Sequence, residues 1–242
     1  MGGRVMQVIL IHLPFSFAGA TAMILPILDV LTSGAVAEIR TRLDAGRFQD
    51  GKATAGWHAR LVKENEQLRS DDPAHADLRA LVEQTMRAHP LVAMAARPKA
   101  FGPMLFSRSG PGQGYGSHVD DALMGGLRTD VSFTLFLSDP DSYQGGDLVI
   151  ETPAGEIPFK LPAGAALVYP STTLHRVERV TAGTRLVVAG WIRSFVRDPA
   201  ERELLFDLDT ARQSLFKAQG KTVEFDLLSK CLSNLLRRWA ED

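Results

Sequence analysis

Residues 131–170 read VSFTLFLSDPDSYQGGDLVIETPAGEIPFKLPAGAALVYP. This stretch contains three short apolar runs, at residues 131–137, 148–150 and 165–169, and clusters of Gly, Pro, Asp and Ser separate them. Short apolar runs at this spacing, punctuated by turn residues, are typical of strands in an all-β sandwich or barrel. The stretch therefore predicts a β domain, and a jelly roll is one such solution.

Apolar residues at helical spacing stand before this β region. They predict a helix over residues 34–43, which Thr32 or Ser33 can cap, and a second helix near residues 75–88. The apolar residues that follow Met23 are typical of a first strand entering a domain. We therefore expect a β-rich core that is preceded by helices.

The strand pattern extends from about residue 92 to residue 197. Beyond it, leucines return at helical spacing and predict two C-terminal helices within residues 198–242. We expect one domain over residues 23–197, with a jelly-roll core at about 92–197, followed by that helical segment. The predicted fold class is mainly β with flanking helices (α+β).

Residues 1–22 are unlike the rest of the chain. A basic residue precedes an apolar run over residues 5–17 and small residues follow it, as in a secretory signal, and the run is too short to span a bilayer. The alternative is that Met23 is the natural start and residues 1–22 are an upstream extension. His12 and Pro14 interrupt the apolar run, which favours the extension, and a cytoplasmic protein over a secreted one.

Composition excludes several classes of protein. The formal net charge is -1, from 27 basic and 28 acidic residues without a basic stripe, so no nucleic-acid partner is expected. Cys231 is the only cysteine, which rules out an intrachain disulfide or a zinc ribbon. With 45% hydrophobic residues the chain can build a globular core, and we expect no membrane partner.

The strongest sign of chemistry is the pair His118 and Asp120. In a strand, residues i and i+2 project from the same face, so these two side chains can bind one metal ion. His175, at the end of a later apolar run, can supply a third ligand. Two imidazoles and one carboxylate leave open positions on the metal, as in non-haem Fe(II) oxygenases. The same spacing in His75-Ala76-Asp77 falls in the second predicted helix, where i and i+2 do not share a face.

Arg185 begins another apolar run, residues 186–191. A charged residue that enters an apolar strand needs a partner, because a buried unpaired charge is costly. If this strand returns beside the strand that carries His175, Arg185 can point into the same cavity. A planar guanidinium pairs bidentately with a carboxylate, which suits the distal carboxylate of 2-oxoglutarate. The simpler alternative is an edge-strand arginine in water.

His118-Val119-Asp120, His175 and Arg185 together resemble the prolyl/lysyl-hydroxylase-domain (PKHD-type) iron/2-oxoglutarate dioxygenases, most of all the bacterial PiuC-like subgroup associated with iron uptake. The resemblance extends from about Met23 to about Asp209 and includes Arg128-Thr129-Asp130, Gly145-Gly146-Asp147-Leu148, Leu161-Pro162-Ala163-Gly164 and Tyr169-Pro170-Ser171-Thr172. It implies a double-stranded β-helix (jelly-roll) core with N-terminal and C-terminal helices, Fe(II), and 2-oxoglutarate and O2 as co-substrates, and it allows L-ascorbate as a further cofactor. The implied activity is hydroxylation of a small-molecule or peptidyl substrate.

Ser109 stands where this family usually has a tyrosine that helps to hold 2-oxoglutarate. Tyr115, three residues before His118, either compensates for that loss or is a packed strand aromatic. Lys63 and Asn65 also match a stretch of the family. They either touch the substrate or lie on a solvated helix face, which is the simpler interpretation.

Two other functions stay open on the sequence alone. One is a non-catalytic jelly-roll binding module, which Ser109 favours. The other is a cupin-type metalloenzyme independent of 2-oxoglutarate, although cupins usually place a second histidine where Asp120 stands and have no need for Arg185. The apolar C-terminal helices either cover the barrel or form a contact in a homo-oligomer.

Overall fold

The computed structural model describes residues 23–242, and the predicted leader or extension over residues 1–22 lies outside that range. The described chain forms sixteen strands, which are β1 (Leu25–Ile27), β2 (Phe48–Asp50), β3 (Lys63–Glu64), β4 (Glu66–Leu68), β5 (Pro98–Ser109), β6 (Gly114–His118), β7 (Leu123–Met124), β8 (Leu127–Arg128), β9 (Val131–Phe136), β10 (Tyr143–Gly145), β11 (Leu148–Thr152), β12 (Gly155–Phe159), β13 (Ala166–Pro170), β14 (His175–Val177), β15 (Val180–Gly183) and β16 (Arg185–Ser194). The same range contains five α-helices, which are α1 (Ser33–Asp44), α2 (His75–Ala88), α3 (Pro90–Ala96), α4 (Pro199–Gln219) and α5 (Val223–Trp239).

Two antiparallel sheets face each other. The larger sheet has the strand order β1-β13-β9-β16-β5-β4-β2, and the smaller has the order β12-β11-β14-β6-β3. Side chains from both sheets, including Phe136, Leu148, Ile150 and Val187, form one buried apolar cluster between them. This arrangement confirms the predicted class, a mainly β core with flanking helices.

Alternate residues of the larger sheet face two different environments. Phe106, Phe133 and Val188 belong to the main hydrophobic core, which they share with α1, α2 and α3. Their neighbours along the strands, such as Ser107 and Ser132, point the other way and line a cavity. The period of two therefore separates a dry apolar face from a face that carries polar side chains.

The flanking helices begin at capping residues. Thr32 caps α1, because its hydroxyl accepts a hydrogen bond from the N–H of Ala35 at 3.2 Å. Asp198 caps α4 by accepting from two backbone N–H groups. Helix α2 spans the predicted residues and contains both His75 and Asp77, so this second His-x-Asp triplet is helical, as expected.

Two features of the structure differ from a core whose strands begin at about residue 92. Residues Pro90–Ala96 form α3, which is buried on nearly every side and therefore lacks an amphipathic period. In addition, β1, β2, β3 and β4 belong to the two sheets although they precede residue 92. These strands have only two or three residues each, too few for a period of two to be visible in the sequence.

Helices α4 and α5 pack against each other after the last strand. Val196, Leu205 and Leu232 form their shared apolar cluster. The buried Arg202 donates to the carbonyl oxygens of Val196 at 2.8 Å and of Arg197 at 2.7 Å, which ties α4 to the end of β16. Within the described range, no helix is both long and apolar enough to cross a membrane.

Candidate metal centre

Three side chains meet between the sheets. His118 ends β6 and His175 begins β14, and the two residues are direct partners across these antiparallel strands. Asp120 follows β6, and its Oδ2 lies 3.9 Å from Nε2 of His175. One nitrogen or oxygen atom from each residue lies within 4.8 Å of the others, so a single ion could contact all three. The structure thus brings together the triad predicted from the sequence.

Backbone carbonyl groups orient both imidazole rings. Nδ1 of His118 lies 2.8 Å from the carbonyl oxygen of Gly116, and Nδ1 of His175 lies 3.0 Å from that of Thr173. When each Nδ1–H donates to its carbonyl, each Nε2 keeps a free lone pair for a metal. Burial, together with the neighbouring His175, lowers the pKa of His118 to about 4. The ring therefore stays neutral near pH 7, as a metal ligand must.

A serine pair, which sequence analysis missed, supports the carboxylate. The hydroxyl of Ser132 donates to Oδ2 of Asp120 at 2.6 Å. It also lies 2.8 Å from the hydroxyl of Ser171, which can donate to it in turn. The signal was present in β9, where Ser132 and Thr134 interrupt an apolar run at a period of two.

Aromatic rings pack against both imidazoles. Tyr115 stacks on His118 with ring centroids 3.6 Å apart, and Tyr169 meets His175 edge-on at 5.2 Å. Burial raises the pKa of both phenols, so both remain protonated. Tyr115 is thus a packed strand aromatic that also lines the cavity, and its contact with 2-oxoglutarate stays a prediction.

Arg185 is a buried cation at the start of β16. It is 4% exposed, and its Nε has no hydrogen-bond partner among residues 23–242. Burial lowers its pKa, against the opposing effect of Tyr143. The hydroxyl of Tyr143 is likewise buried without a partner in that range. A guanidinium in this setting fits a carboxylate ligand.

The backbone at Gly146 lets the chain pass close to this arginine. Gly146 has φ of 69°, and a Cβ there would lie 3.1 Å from Cδ of Arg185 and 3.1 Å from a ring carbon of Tyr143. Any larger residue would be strained and would crowd the guanidinium. The turn at residues 145–147 therefore shapes the surroundings of Arg185. Sequence analysis missed Tyr143, because its place beside Arg185 depends on the pairing of β10 with β15.

The triad and Arg185 line one cavity of about 430 Å³. Ser109 is the strand partner of Arg185 and contributes only a short side chain to the wall, so space stays open beside the guanidinium.

Lys63 and Asn65 line the same cavity, so the interpretation of a solvated helix face is wrong. Both lie at the short strands β3 and β4, and Lys63 is 4% exposed. Gln67 lines the cavity as well, but strands of two and three residues are too short for this alternation to be recognised in the sequence.

Comparisons with known proteins agree with this geometry. Residues 104–193 match the family model of the 2OG-Fe(II) oxygenase superfamily, and residues 200–241 match that of the PKHD-type hydroxylase C-terminal domain. A PKHD-type hydroxylase of Acaryochloris marina is 55% identical and one of Picosynechococcus sp. is 54% identical. Each match covers 90% of this chain and 100% of the relative.

Solved structures share the fold at low sequence identity. A prolyl hydroxylase from Trichoplax adhaerens, in complex with a peptide fragment of the oxygen degradation domain of hypoxia inducible factor, has a TM-score of 0.56 and 16% identity, and the match covers 76% of this chain and 87% of that one. HygX from Streptomyces hygroscopicus, with nickel and 2-oxoglutarate bound, has a TM-score of 0.54 and 15% identity, and the match covers 72% and 84%. These likenesses show the jelly-roll fold of such oxygenases.

The fold, the matched superfamily and the two-histidine, one-carboxylate cluster define an iron(II)- and 2-oxoglutarate-dependent oxygenase. More than half of the aligned residues are identical across the full length of curated relatives, so the chain belongs to the PKHD-type hydroxylases. It is therefore a 2-oxoglutarate-dependent hydroxylase with Fe(II) as its metal. Neither the cupin-type alternative nor the non-catalytic binding module agrees with this membership.

Proposed function

We propose that His118, Asp120 and His175 bind the iron and that Arg185 binds the distal carboxylate of 2-oxoglutarate in the same cavity. The observation that carries this proposal is the buried guanidinium of Arg185, which lacks an acidic partner in the described chain and lines the same cavity as the triad. When bound, iron and 2-oxoglutarate supply the oxidation of a substrate C–H bond by O2, with release of succinate and CO2.

The protein's own residues orient these groups. Ser132 holds one oxygen of Asp120, which leaves the carboxylate a defined direction toward the histidines. The carbonyl oxygens of Gly116 and Thr173 hold the two imidazoles. Apolar side chains such as Leu105 line the cavity and exclude water from it. No side chain needs to act as a general base in this scheme.

For the substrate we propose a class of molecule rather than one compound. The cavity opens to solvent near the exposed side chains of Val119 and Leu123, so either a small molecule or a peptidyl side chain can approach the triad. The resemblance to the PiuC-like subgroup supports a link with iron uptake, which makes a siderophore-like molecule the first candidate. The requirement for 2-oxoglutarate, a cytosolic metabolite, supports a cytoplasmic location.

The test is turnover of 2-oxoglutarate to succinate. The protein is loaded with Fe(II) under anaerobic conditions and then exposed to O2, with His175→Ala as the inactive variant and His58→Ala, at an exposed histidine, as its matched control. We expect succinate from the wild type and from His58→Ala, and none from His175→Ala. Failure of the wild type to bind both Fe(II) and 2-oxoglutarate in anaerobic titrations would overturn the proposal.

A further inference from the structure

A second buried cation lines the cavity of the metal centre. Lys63, on β3, is 4% exposed, and its Nζ donates to the hydroxyl of Thr54 at 3.1 Å. None of the ion pairs formed within residues 23–242 includes Lys63. An ammonium that is buried without a counter-ion destabilises the protein, so a partner from outside the described chain would relieve that cost.

Lys63 stands close to the metal ligands. It is the strand partner of Tyr115, and its Nζ lies 5.1 Å from the centre of the Tyr115 ring, which stacks on His118. Burial lowers the pKa of Lys63 to about 8, against the opposing effects of Asp120 and Asp50. The side chain is therefore mainly protonated at pH 7. The ring of Tyr115 thus separates the ammonium of Lys63 from His118.

Two polar side chains hold this ammonium in place. The hydroxyl of Thr54 donates to Oε1 of Gln67 at 2.6 Å, which leaves its lone pairs directed toward Lys63. Gln67 is 1% exposed and is the strand partner of Ser107 in the larger sheet. Thr54, Lys63 and Gln67 all line the cavity. The ammonium is therefore tied to both sheets, unlike that of a solvated surface lysine.

The charges around the cavity indicate what this lysine binds. Among the buried groups, a dipositive metal, the Asp120 carboxylate and the Arg185 guanidinium together carry two positive charges. Asp121, which also lines the cavity, and Asp50 are exposed, so water screens their charges. The two carboxylates of 2-oxoglutarate neutralise those two positive charges, and Lys63 then remains with one positive charge. A buried site of this kind favours one more anionic group.

We propose that Lys63 binds a carboxylate of the hydroxylated substrate and that Thr54 and Gln67 position the ammonium of Lys63. This inference rests on the proposed function. The substrate class is then an organic acid, or a molecule with an acidic arm, rather than a neutral or cationic compound. The carboxylate docks on the wall formed by β3 and β4, and the rest of the molecule extends over the triad. Thr54 and Gln67 are positioning residues, because they act through Lys63.

The first arm of the test separates substrate from co-substrate. Anaerobic binding of 2-oxoglutarate to the Fe(II) protein is titrated for the wild type, Lys63→Met and Lys52→Met, a matched control at an exposed lysine of the preceding turn. We expect the same affinity in all three proteins. A 2-oxoglutarate affinity that is lowered only by Lys63→Met would assign Lys63 to the co-substrate and overturn the inference. Loss of binding in the wild type would instead contradict the proposed function.

The second arm tests the carboxylate directly. With Fe(II) and saturating 2-oxoglutarate present, 3-phenylpropionate and its neutral amide are compared as ligands by anaerobic NMR titration. We expect the wild type to bind the acid at least about 10-fold more tightly than the amide, as one buried ion pair allows. Lys63→Met should lose this preference, and Lys63→Arg should retain part of it. A wild type without a preference for the acid, or a Lys63→Met variant that keeps the full preference, would overturn the inference.

Discussion

Replacing Arg185 with methionine should change co-substrate affinity and protein stability in opposite directions. The guanidinium is 4% exposed, and its Nε lacks a partner in residues 23–242. Removing one partner of a buried, hydrogen-bonded ion pair costs about 3–5 kcal/mol. At about 1.4 kcal/mol per tenfold, Arg185→Met should weaken 2-oxoglutarate binding by roughly 100- to 4,000-fold.

The same variant should be more stable than the wild type when 2-oxoglutarate is absent. Methionine fills much of the space of arginine and removes a buried charge that forms no ion pair in the described chain. Replacement of a whole buried ion pair by apolar residues can raise the free energy of unfolding by about 1–4 kcal/mol, and we expect a gain within that range here. In a domain of this size that corresponds to a higher Tm by roughly 2–4 °C for each kcal/mol. Once 2-oxoglutarate is added, the wild type should have the higher Tm, because the ligand stabilises only the protein that binds it.

The assay combines anaerobic calorimetric titration of 2-oxoglutarate with thermal unfolding in its presence and absence. Arg108→Met is the matched control, because Arg108 is the partner of Leu186 on the same pair of strands but pairs with Glu66 at 2.7 Å. Its loss should change 2-oxoglutarate affinity by no more than about twofold, as for an exposed ion pair. An Arg185→Met variant with unchanged affinity, or with a markedly lower Tm in the absence of ligand, would refute the reasoning.

Three further outcomes follow from the metal centre. Ser132→Ala removes the 2.6 Å hydrogen bond to Asp120 and should lower metal affinity by about 10- to 100-fold, measured by titration against a competing chelator. Unchanged metal affinity would show that the serine does not orient the carboxylate. His75→Ala, at the helical His-x-Asp triplet, should leave metal affinity unchanged in the same titration. A large loss of metal affinity would mean that helix α2 supplies a metal ligand, contrary to our expectation. The metal-free protein should lose stability as the pH falls from 6.5 toward 4. The reason is that the pKa of His118 is about 4 in the folded chain, so the unfolded chain takes up its proton first. Urea unfolding at pH 7 and pH 5 measures this, and equal free energies of unfolding at the two pH values would contradict it.

Local spacing along the chain predicted that His118 and Asp120 lie close together, as they do in the structure. Their separation by two residues is the spacing that places side chains on one face of a strand, although β6 ends at His118 and Asp120 follows it. Arg185 was predictable for a related reason, since a charge at the head of a buried apolar strand requires a ligand or a partner. The flanking helices were equally clear, because α1 and α2 have apolar residues at helical spacing.

The positions of other residues in the site depend on contacts between distant parts of the chain. Lys63 lies in a strand of two residues, whose pairing with β6 supplies the burial that its own sequence does not indicate. Ser132 reaches Asp120 only because the larger sheet faces the smaller one across the cavity. Helix α3 is apolar throughout, so its sequence does not distinguish a buried helix from a buried strand.

The sequence by itself determined the β-rich class and the flanking helices, and it predicted His118, Asp120 and His175 as metal ligands and Arg185 as the partner of a carboxylate. These features depend on which residue types repeat at periods of two and 3.6, which neighbours along the chain reveal. The tertiary structure alone decided that His118 lies opposite His175, that Lys63 is buried in the same cavity, and which polar groups there lack partners. Those features depend on strand register and sheet packing between residues far apart in the chain, where the energy of burial and not the local pattern selects the arrangement.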